Sequence, residues 1–409
     1  MLTPIRQLAS QDTAPLTWEA ISQAEYFFSS PHQQIVAQGC RRRLMLSVED
    51  IHGNDAGFAQ QIQQALSEEA RAGVAHPVCL GVVPFDKREP ACLIMPEQVQ
   101  RFAKRSNLHY PVQETQRLVM RHCSSNLNQQ AFQLAVAQAQ ANFQYSDIRK
   151  VVLGRILRVE AQQDFNQLAI LQQLITQNPH AYHYRFRLPD QSVLMGASPE
   201  LLLRKQAGAI FSHPLAGSAK RLSDAAADQA QAHTLSASVK DHYEHSLVTR
   251  GIEHVLAPLC RELHVPKLPE LFSTSTMWHL GTPIRGELQQ TEMNALVLAA
   301  KLHPTPALGG YPTALARKLI DLIEPESRNY FGGIVGWCDA HGDGEWAVVI
   351  RSGEFAGARA KLFAGAGIVE DSEAEAEWLE TKAKLQTMLN ALNLQAETQM
   401  DATYKQEAA

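Results

Sequence analysis

The sequence predicts an α+β fold with antiparallel sheets, and two observations lead to this class. First, strand-like segments occur in runs and hairpins and do not alternate strictly with helices, as they would around a parallel sheet. Second, residues 334–337 and 346–350 are two apolar segments on either side of a turn that contains Gly342 and Gly344, which is the pattern of a β-hairpin.

The individual elements follow from hydrophobic periodicity and from the residues that interrupt it. The first 125 residues mix apolar strands with loops marked by proline, as at residues 78–83 before Pro84. A Gln/Ala-rich helix is expected near residues 128–143, because its apolar positions share one face. Later segments are predicted in the same way, as a strand at 150–157, a helix at 164–177, a strand at 182–188 and a long helical region at 224–259.

Composition is typical of a globular protein with one large core. The chain has 409 residues, of which 45% are hydrophobic and 19% charged. We see no internal repeat and no low-complexity linker, so residues 1–409 are predicted to form a single domain. The polar tail, residues 396–409, is expected to fray.

Charge and targeting signals narrow the class of partner. The net charge of −5 gives no general attraction for nucleic acid or anionic membrane, and the basic run at residues 41–43 is too short for a nucleic-acid footprint. No apolar run reaches the roughly 18 residues that a membrane helix needs. The six cysteines form no C-x-x-C pair, which argues against structural zinc. We expect a cytoplasmic protein and, since no helix has the pattern of an exposed interface, a monomer.

The most informative segment lies near the C-terminus. Residues 364–369 are predicted to form a Gly-rich turn that leads into a helix, whose polar stripe comprises Glu373, Glu377, Glu380 and Lys384. Carboxylates on one rigid face can bind a hard divalent cation, and a Gly-rich turn can present backbone N–H groups to an anion. The pattern favours a small polycarboxylate substrate bridged by a metal. A dinucleotide site is disfavoured, because Glu370 occupies the position of the third glycine.

Other candidate residues each have a simpler alternative. Glu244 lies on a second acidic helix and could join Glu380 as a Mg²⁺ ligand, although a surface role is the default for either residue. Glu200 precedes an apolar run and could act as a general acid if it is buried. Lys150 begins an apolar strand, where lysine usually reaches for solvent but could act as a base. His279 is either a structural hydrogen-bonding residue or a catalytic one.

Several segments together resemble the chorismate-utilising enzymes, which comprise the anthranilate, aminodeoxychorismate, isochorismate and salicylate synthases. The matches stand in the family's order and span roughly residues 130–390, at 150–153, 197–201, 214–218, 240–245, 302–307, 350–353, 364–369 and 377–381. The resemblance implies two facing antiparallel β-sheets surrounded by helices. Residues 130–390 would form the chorismate-binding catalytic region, and residues 1–125 the N-terminal part of the fold.

The resemblance also implies a reaction. Family members that add ammonia have Gln at the position of Lys150, whereas those that add water have Lys, which can take a proton from water. The Pro-Leu-Ala-Gly-Ser segment at 214–218 is similar to the isochorismate branch, and residues 27–32 are similar to siderophore-type isochorismate synthases. Chorismate would gain water at C2 and lose its C4 hydroxyl, and a downstream isochorismatase would be a transient partner.

Each candidate residue receives a role from this resemblance. Lys150 would be the general base, Glu200 the general acid, and His279 would orient the ring or the leaving hydroxyl. Glu244 and Glu380 would bind Mg²⁺, with Glu377 assisting through water. Arg351 and the N–H groups around Gly365 would hold the substrate's other carboxylate, and Lys384 could join them. Gly217 and Ser218 would line the pocket.

Three alternatives stay open at this point. A salicylate synthase would use the same residues and also eliminate pyruvate, and a menaquinone-pathway enzyme would perform the identical isomerisation. A non-catalytic chorismate-binding protein should have lost some of the acid, base or metal carboxylates, and this chain retains them. One departure from the family pattern is Gly154, where Ser is expected before Arg155.

Overall fold

The computed structural model of the chain describes residues 15–49, 55–104 and 118–394. The tail predicted to fray, residues 396–409, lies outside the described residues. Over the described ranges the fold is α+β, with two large antiparallel sheets of 10 and 9 strands, a small sheet of 3 strands, and helices around them. The predicted fold class is confirmed.

The strands, in chain order, are β1 (Tyr26–Ser29), β2 (Gln33–Gln38), β3 (Arg42–Ser47), β4 (Val78–Val83), β5 (Pro90–Met95), β6 (Gln98–Ala103), β7 (Met120–Ser125), β8 (Lys150–Ala161), β9 (Tyr182–Arg187), β10 (Val193–Ser198), β11 (Leu201–Gln206), β12 (Ala209–His213), β13 (Leu215–Lys220), β14 (Cys260–His264), β15 (Glu270–Ser273), β16 (Met277–Gly281), β17 (Ile284–Leu288), β18 (Gly310–Tyr311), β19 (Ile334–Asp339), β20 (Gly344–Val348), β21 (Ser352–Ala356) and β22 (Arg359–Ile368). The helices are α1 (Trp18–Gln23), α2 (Ala56–Arg71), α3 (Gln129–Tyr145), α4 (Gln167–Gln177), α5 (Ala225–Ala237), α6 (Val239–Leu256), α7 (Ala295–Leu302), α8 (Thr313–Ile323) and α9 (Ala374–Ala391).

The two large sheets face each other across an aromatic core. The first has the order β18-β8-β22-β21-β10-β9-β1-β2-β6, with β7 also paired to β8, and the second has the order β14-β17-β12-β11-β20-β19-β4-β5-β3. Phe28 and Tyr184 from the first sheet pack with Leu80 and Trp337 from the second, and all four are buried. Each sheet combines strands from before and after residue 130, so both parts of the chain build the same framework.

Local signals placed many elements correctly. The predicted hairpin is β19–β20, with Ile334 paired to Val348. The helix expected at 128–143 is α3, and Asn128 caps it by accepting a hydrogen bond from the backbone N–H of Ala131 at 2.8 Å. The long helical region at 224–259 is broken into α5 and α6, because Ser238 adopts extended backbone and caps α6.

The outer faces of the sheets are covered by helices, and the last of these is central to the site. Helix α9 packs against β22, with Leu385, Met388 and Leu389 in the core beneath the sheet. Within the described part of the chain, no helix has the length and apolar character required to cross a membrane.

Candidate active site

A cleft opens where the first large sheet splits. Strands β21 and β22 are paired from Ala356–Arg359 to Gly353–Leu362, but β22 then continues along β8 as far as Ile368 without β21 beside it. The space at this free edge is closed by β13, β16, α6 and α9, and it encloses about 620 Å³ including its mouth to solvent. Nine of the predicted site residues line it, namely Glu200, Gly217, Ser218, Glu244, His279, Arg351, Gly365, Glu380 and Lys384.

Lys150 and Glu377 are the two predicted site residues that lie just behind the wall of the cleft. Lys150 is fully buried at the start of β8, and its Nζ is 2.9 Å from Glu244 Oε1, which does line the cleft. The contact is an ion pair without the alignment of a hydrogen bond, so the donors of Lys150 remain unused. The predicted base is therefore held beside the cleft by an acidic partner.

The turn predicted at residues 364–369 is wrong for most of that segment. Residues 364–368 belong to strand β22 and do not form a turn. Their glycines instead make room for side chains, since a Cβ on Gly367 would come within 2.1 Å of Glu244 Oε1 and 3.0 Å of Lys150 Cε. The free N–H groups expected from a turn are accordingly limited to those at the strand's open edge.

We predict that Gly367→Ala disables the site. The added methyl group must displace Glu244, which separates it from Lys150, and a misplacement of about 1 Å near reacting groups can cost on the order of 100-fold in rate. The purified variant's turnover of chorismate, the substrate that the family resemblance implies, checks this. Gly57→Ala is the matched control, because a Cβ there meets no atom within 4 Å, and it should leave turnover unchanged. Normal turnover by Gly367→Ala would contradict the assigned packing.

Glu200 lies between β10 and β11 with its side chain buried against the cleft. Burial raises the pKa of the Glu200 carboxyl to about 7, although a hydrogen bond from the backbone of Leu215 and the positive charges of Lys150 and Arg351 limit the rise. The backbone N–H of Glu200 donates to Ser198 Oγ at 3.2 Å, which fixes the bend between the strands. A carboxyl of this kind carries its proton at neutral pH for part of the time, as a general acid must.

Besides Glu200, three glutamates line or adjoin the cleft, and each of them pairs with a lysine. The pairs are Lys150–Glu244 at 2.9 Å, Lys240–Glu377 at 2.6 Å and Lys384–Glu380 at 2.5 Å. Glu380 also accepts a hydrogen bond from Ser218 Oγ at 2.8 Å. Burial followed by the negative charge of Glu380 raises the pKa of Glu377 to about 7, against the opposing effect of Lys240. For Glu380 itself, burial favours the protonated form, but Lys384 and the other donors hold its pKa below the usual value.

These carboxylates fit a divalent cation only with help from a substrate. In the part of the chain that the structure describes, no three His, Cys, Asp or Glu side chains are gathered closely enough to hold an ion alone. Magnesium, however, typically takes one or two protein carboxylates and completes its shell with water and substrate oxygens. The second oxygen of Glu377, Oε2, is buried and accepts no hydrogen bond from the described residues, which suits a contact to ion-bound water.

Arg351 and Lys384 form the cationic side of the cleft. Arg351 is buried with a left-handed backbone (φ 52°), and its Nε has no hydrogen-bond partner. Burial lowers the pKa of its guanidinium to about 10, so it stays charged at neutral pH. Lys384 Nζ donates to the Gly365 carbonyl at 2.8 Å. Because the N–H and C=O of a residue point to the same side of an antiparallel strand, the Gly365 N–H also faces this open edge.

His279 and Gly217 complete the predicted set. Burial, reinforced by the charge of Arg351, lowers the pKa of His279 well below its usual value, so the ring is neutral, and its Nε2 has no hydrogen-bond partner. Gly217 has a left-handed backbone (φ 82°), and a Cβ there would lie 3.0 Å from Asp241 Cβ. Only glycine suits that position, which brings β13 close to α6.

Two groups of residues at the cleft were not predicted from the sequence. Lys240 was part of a matched segment but received no role, although its place four residues before Glu244 on a helix indicates that both face the same region. Phe331 and Phe363 line the cleft with stacked rings 5.4 Å apart, and no local signal connects them. Phe331 also explains why this chain has Gly154 where the family pattern has Ser, because a Cβ at this position would be 2.8 Å from the Phe331 ring.

The cleft brings a buried lysine, a buried arginine and several glutamates together at one end of the first large sheet. The chain belongs to the chorismate-binding enzyme family, whose model matches residues 86–393. The family resemblance drawn from the sequence is thereby confirmed.

Individual relatives agree with this assignment. The chain is 40% identical over 385 residues to isochorismate synthase EntC of Escherichia coli strain K12, a match that covers 92% of this chain and 97% of that protein. A crystal structure of a putative 2,3-dihydroxybenzoate-specific isochorismate synthase, DhbC from Bacillus anthracis, has a TM-score of 0.85 and 36% identity, covering 91% of this chain and 97% of that one. The structure of the menaquinone-specific isochorismate synthase MenF of Escherichia coli has a TM-score of 0.77 and 21% identity, and the match covers 93% of this chain and 92% of that one. At this identity the likeness shows only a common fold.

Proposed function

We propose that this chain is an isochorismate synthase, an isomerase that converts chorismate to isochorismate with Mg²⁺. The observation that carries the proposal is the presence of a buried lysine beside the cleft together with a buried glutamate whose pKa is about 7. Water addition needs a base for the incoming water and an acid for the departing hydroxyl. The names of the relatives, which are isochorismate synthases, support the same reaction.

Binding would use the cationic and acidic sides of the cleft separately. Arg351 can clamp one substrate carboxylate, because its Nε is free, and the Gly365 N–H and Lys384 can add to it. Glu244 and Glu380 would hold Mg²⁺, with Glu377 reaching it through water. When bound, the ion would clamp the ring carboxylate and withdraw electron density from the diene.

The chemical step would divide between two side chains. Lys150, as the general base, takes a proton from the water that adds at C2. Glu200 donates its proton to the C4 hydroxyl, which leaves as water while the ring double bonds shift. His279, neutral and with an unused Nε2, would orient the ring or the leaving hydroxyl, and Gly217 and Ser218 would shape the wall.

The pH dependence of turnover should report Glu200. A general acid acts only while it is protonated, so raising the pH through the pKa of Glu200, about 7, removes the active form. We expect kcat/KM for chorismate to decline at alkaline pH, and a pH–rate profile between about pH 6 and pH 9 measures this. A profile that shows no alkaline decline would contradict the role of Glu200.

The proposed pathway is that of catecholate siderophores built on 2,3-dihydroxybenzoate. Support comes from the specificity named for the Bacillus anthracis relative and from the similarity of residues 27–32 to siderophore-type enzymes. In this role the chain acts as a cytoplasmic monomer, and its product passes to an isochorismatase that binds only transiently.

Product analysis of the purified protein tests the proposed function. Chorismate is incubated with and without Mg²⁺, and the products are separated and identified. Isochorismate formed only in the presence of Mg²⁺ is the expected result. Salicylate and pyruvate would instead assign the chain to the salicylate synthases, and tight chorismate binding without any product would favour a non-catalytic binding protein.

A further inference from the structure

Arg155 is a buried arginine without an acidic partner. It lies on β8 on the face opposite to the cleft, since side chains alternate along a strand and Val152 lines the cleft. Its exposure is 1%, and its Nη2 has no hydrogen-bond partner among the residues that the structure describes. Among the described residues no carboxylate acts on its charge, and burial lowers its pKa to about 9. Because burying an unpaired charge is energetically unfavourable, we expect Arg155 to have a role that offsets this cost.

The main contacts of Arg155 are with helix α9. Its guanidinium carbon lies 3.9 Å from the centre of the Trp378 ring, and its Nε donates to Thr381 Oγ1 at 2.8 Å. The Thr381 hydroxyl in turn donates to the Trp378 carbonyl at 2.8 Å. A weaker contact of 3.4 Å joins Nη1 to Ser125 Oγ. Trp378 and Thr381 are three residues apart and lie on the same face of the helix, so the guanidinium contacts that one face.

The two residues that Arg155 contacts on α9 directly follow the glutamates of the cleft in sequence. Glu377 precedes Trp378, and Glu380 precedes Thr381. Successive residues of an α-helix are turned by about 100° around its axis, so fixing the direction of one residue fixes that of the next. Glu380 must point at Ser218 and Lys384, and Glu377 at Lys240, for the contacts seen in the cleft.

We propose that Arg155 is a positioning residue, which sets the rotation of α9 about its axis and thereby holds Glu377 and Glu380 at the cleft. Arg155 touches no substrate. The inference rests on the proposed function only for its kinetic consequences. Its geometric content, the orientation of α9, can be tested separately.

Three variants test the contacts of Arg155 with α9 kinetically. Arg155→Met keeps an unbranched apolar stem but removes the guanidinium with its stacking and hydrogen bond, and Thr381→Val removes only the hydroxyl. We expect Arg155→Met to lower kcat by on the order of 10–100-fold and to raise the Mg²⁺ concentration that gives half-maximal rate. Thr381→Val should shift both quantities in the same direction by less, and Thr381→Ser, which restores the hydroxyl, should recover the wild-type values.

Stability separates positioning from a merely structural role. Replacing an unpaired buried charge by an apolar side chain of similar size is often neutral or stabilising, so Arg155→Met should keep or raise the Tm while it loses activity. Arg101→Met is the control for losing a guanidinium that stacks on tryptophan, because Arg101 on β6 lies 4.3 Å from the centre of the Trp337 ring, although it also pairs with Asp339 at 3.5 Å. It should leave kcat and the Mg²⁺ requirement unchanged. Wild-type kcat and an unchanged Mg²⁺ requirement in Arg155→Met would overturn the inference.

A crystal structure of Arg155→Met decides the geometric claim without any assay of turnover. The expected result is a rotated α9 in which the hydrogen bond between Ser218 Oγ and Glu380 Oε1, 2.8 Å in the wild type, is lost. Retention of that bond with an unrotated helix would overturn the inference, whatever reaction the chain performs. The proposed function would then stand or fall on product analysis alone.

Discussion

Replacing Lys150 by glutamine is expected to reduce kcat for isochorismate formation by about 10²–10⁴-fold. Glutamine approximates the length of the side chain but cannot accept the proton that water must lose at C2. The change also leaves Glu244 buried without its partner at 2.9 Å, and breaking such a pair typically costs about 3–5 kcal/mol of stability. Steady-state rates measured below the Tm of the variant separate the two effects.

Lys301→Gln is the control for this experiment. Lys301 forms an ion pair with Asp55 at the same short range, 2.8 Å, but both side chains are partly exposed and lie away from the cleft. Its loss should cost at most about 1 kcal/mol and leave kcat unchanged. If a folded Lys150→Gln variant turned chorismate over within a few-fold of the wild-type rate, Lys150 would not be the base.

Replacing Glu200 by glutamine is expected to reduce kcat by a similar factor, about 10²–10⁴-fold. Hydroxide is a poor leaving group, so departure of the C4 hydroxyl needs a proton that glutamine cannot give. Glutamine matches the protonated carboxyl in size and charge, so chorismate binding should change little. The alkaline decline of kcat/KM should also disappear, because the acid whose deprotonation causes the decline has been removed.

The chain offers a close control for this variant as well. Glu345 is fully buried, and burial raises its pKa too, yet it lies on β20 outside the cleft. Glu345→Gln should therefore leave kcat and its pH dependence unchanged. An alkaline decline that persisted in Glu200→Gln would move the general acid to another residue.

The sequence predicted those parts of the fold that depend on local signals. The hairpin at Gly342 and Gly344 follows from residue types with strong turn preferences, and the helix at 128–143 follows from the periodicity of its apolar residues. The segment at 364–369 was misjudged because glycine serves two purposes. Its usual association with turns suggested an irregular loop, whereas here Gly367 is in a strand and admits the carboxylate of Glu244.

The site was predicted residue by residue but not as an arrangement. Family motifs identified Glu200 and Lys150, and helical spacing identified the stripe with Glu377 and Glu380. The pairing of Lys240 with Glu377 joins two helices that are far apart in sequence, and the stacking of Arg155 on Trp378 joins a strand to a helix. Such contacts depend on how the elements pack, so periodicity along one segment could not reveal them.

Isotope labelling tests the central claim, which is that solvent water adds to chorismate while the original hydroxyl leaves. Chorismate is incubated with the protein and Mg²⁺ in H₂¹⁸O, and the isochorismate is analysed by mass spectrometry. The account predicts one ¹⁸O atom in each product molecule, located at the C2 hydroxyl, because Lys150 activates water and Glu200 expels the C4 hydroxyl. Isochorismate without the label would show that the C4 oxygen migrates within the substrate, and the roles of Lys150 and Glu200 would be contradicted.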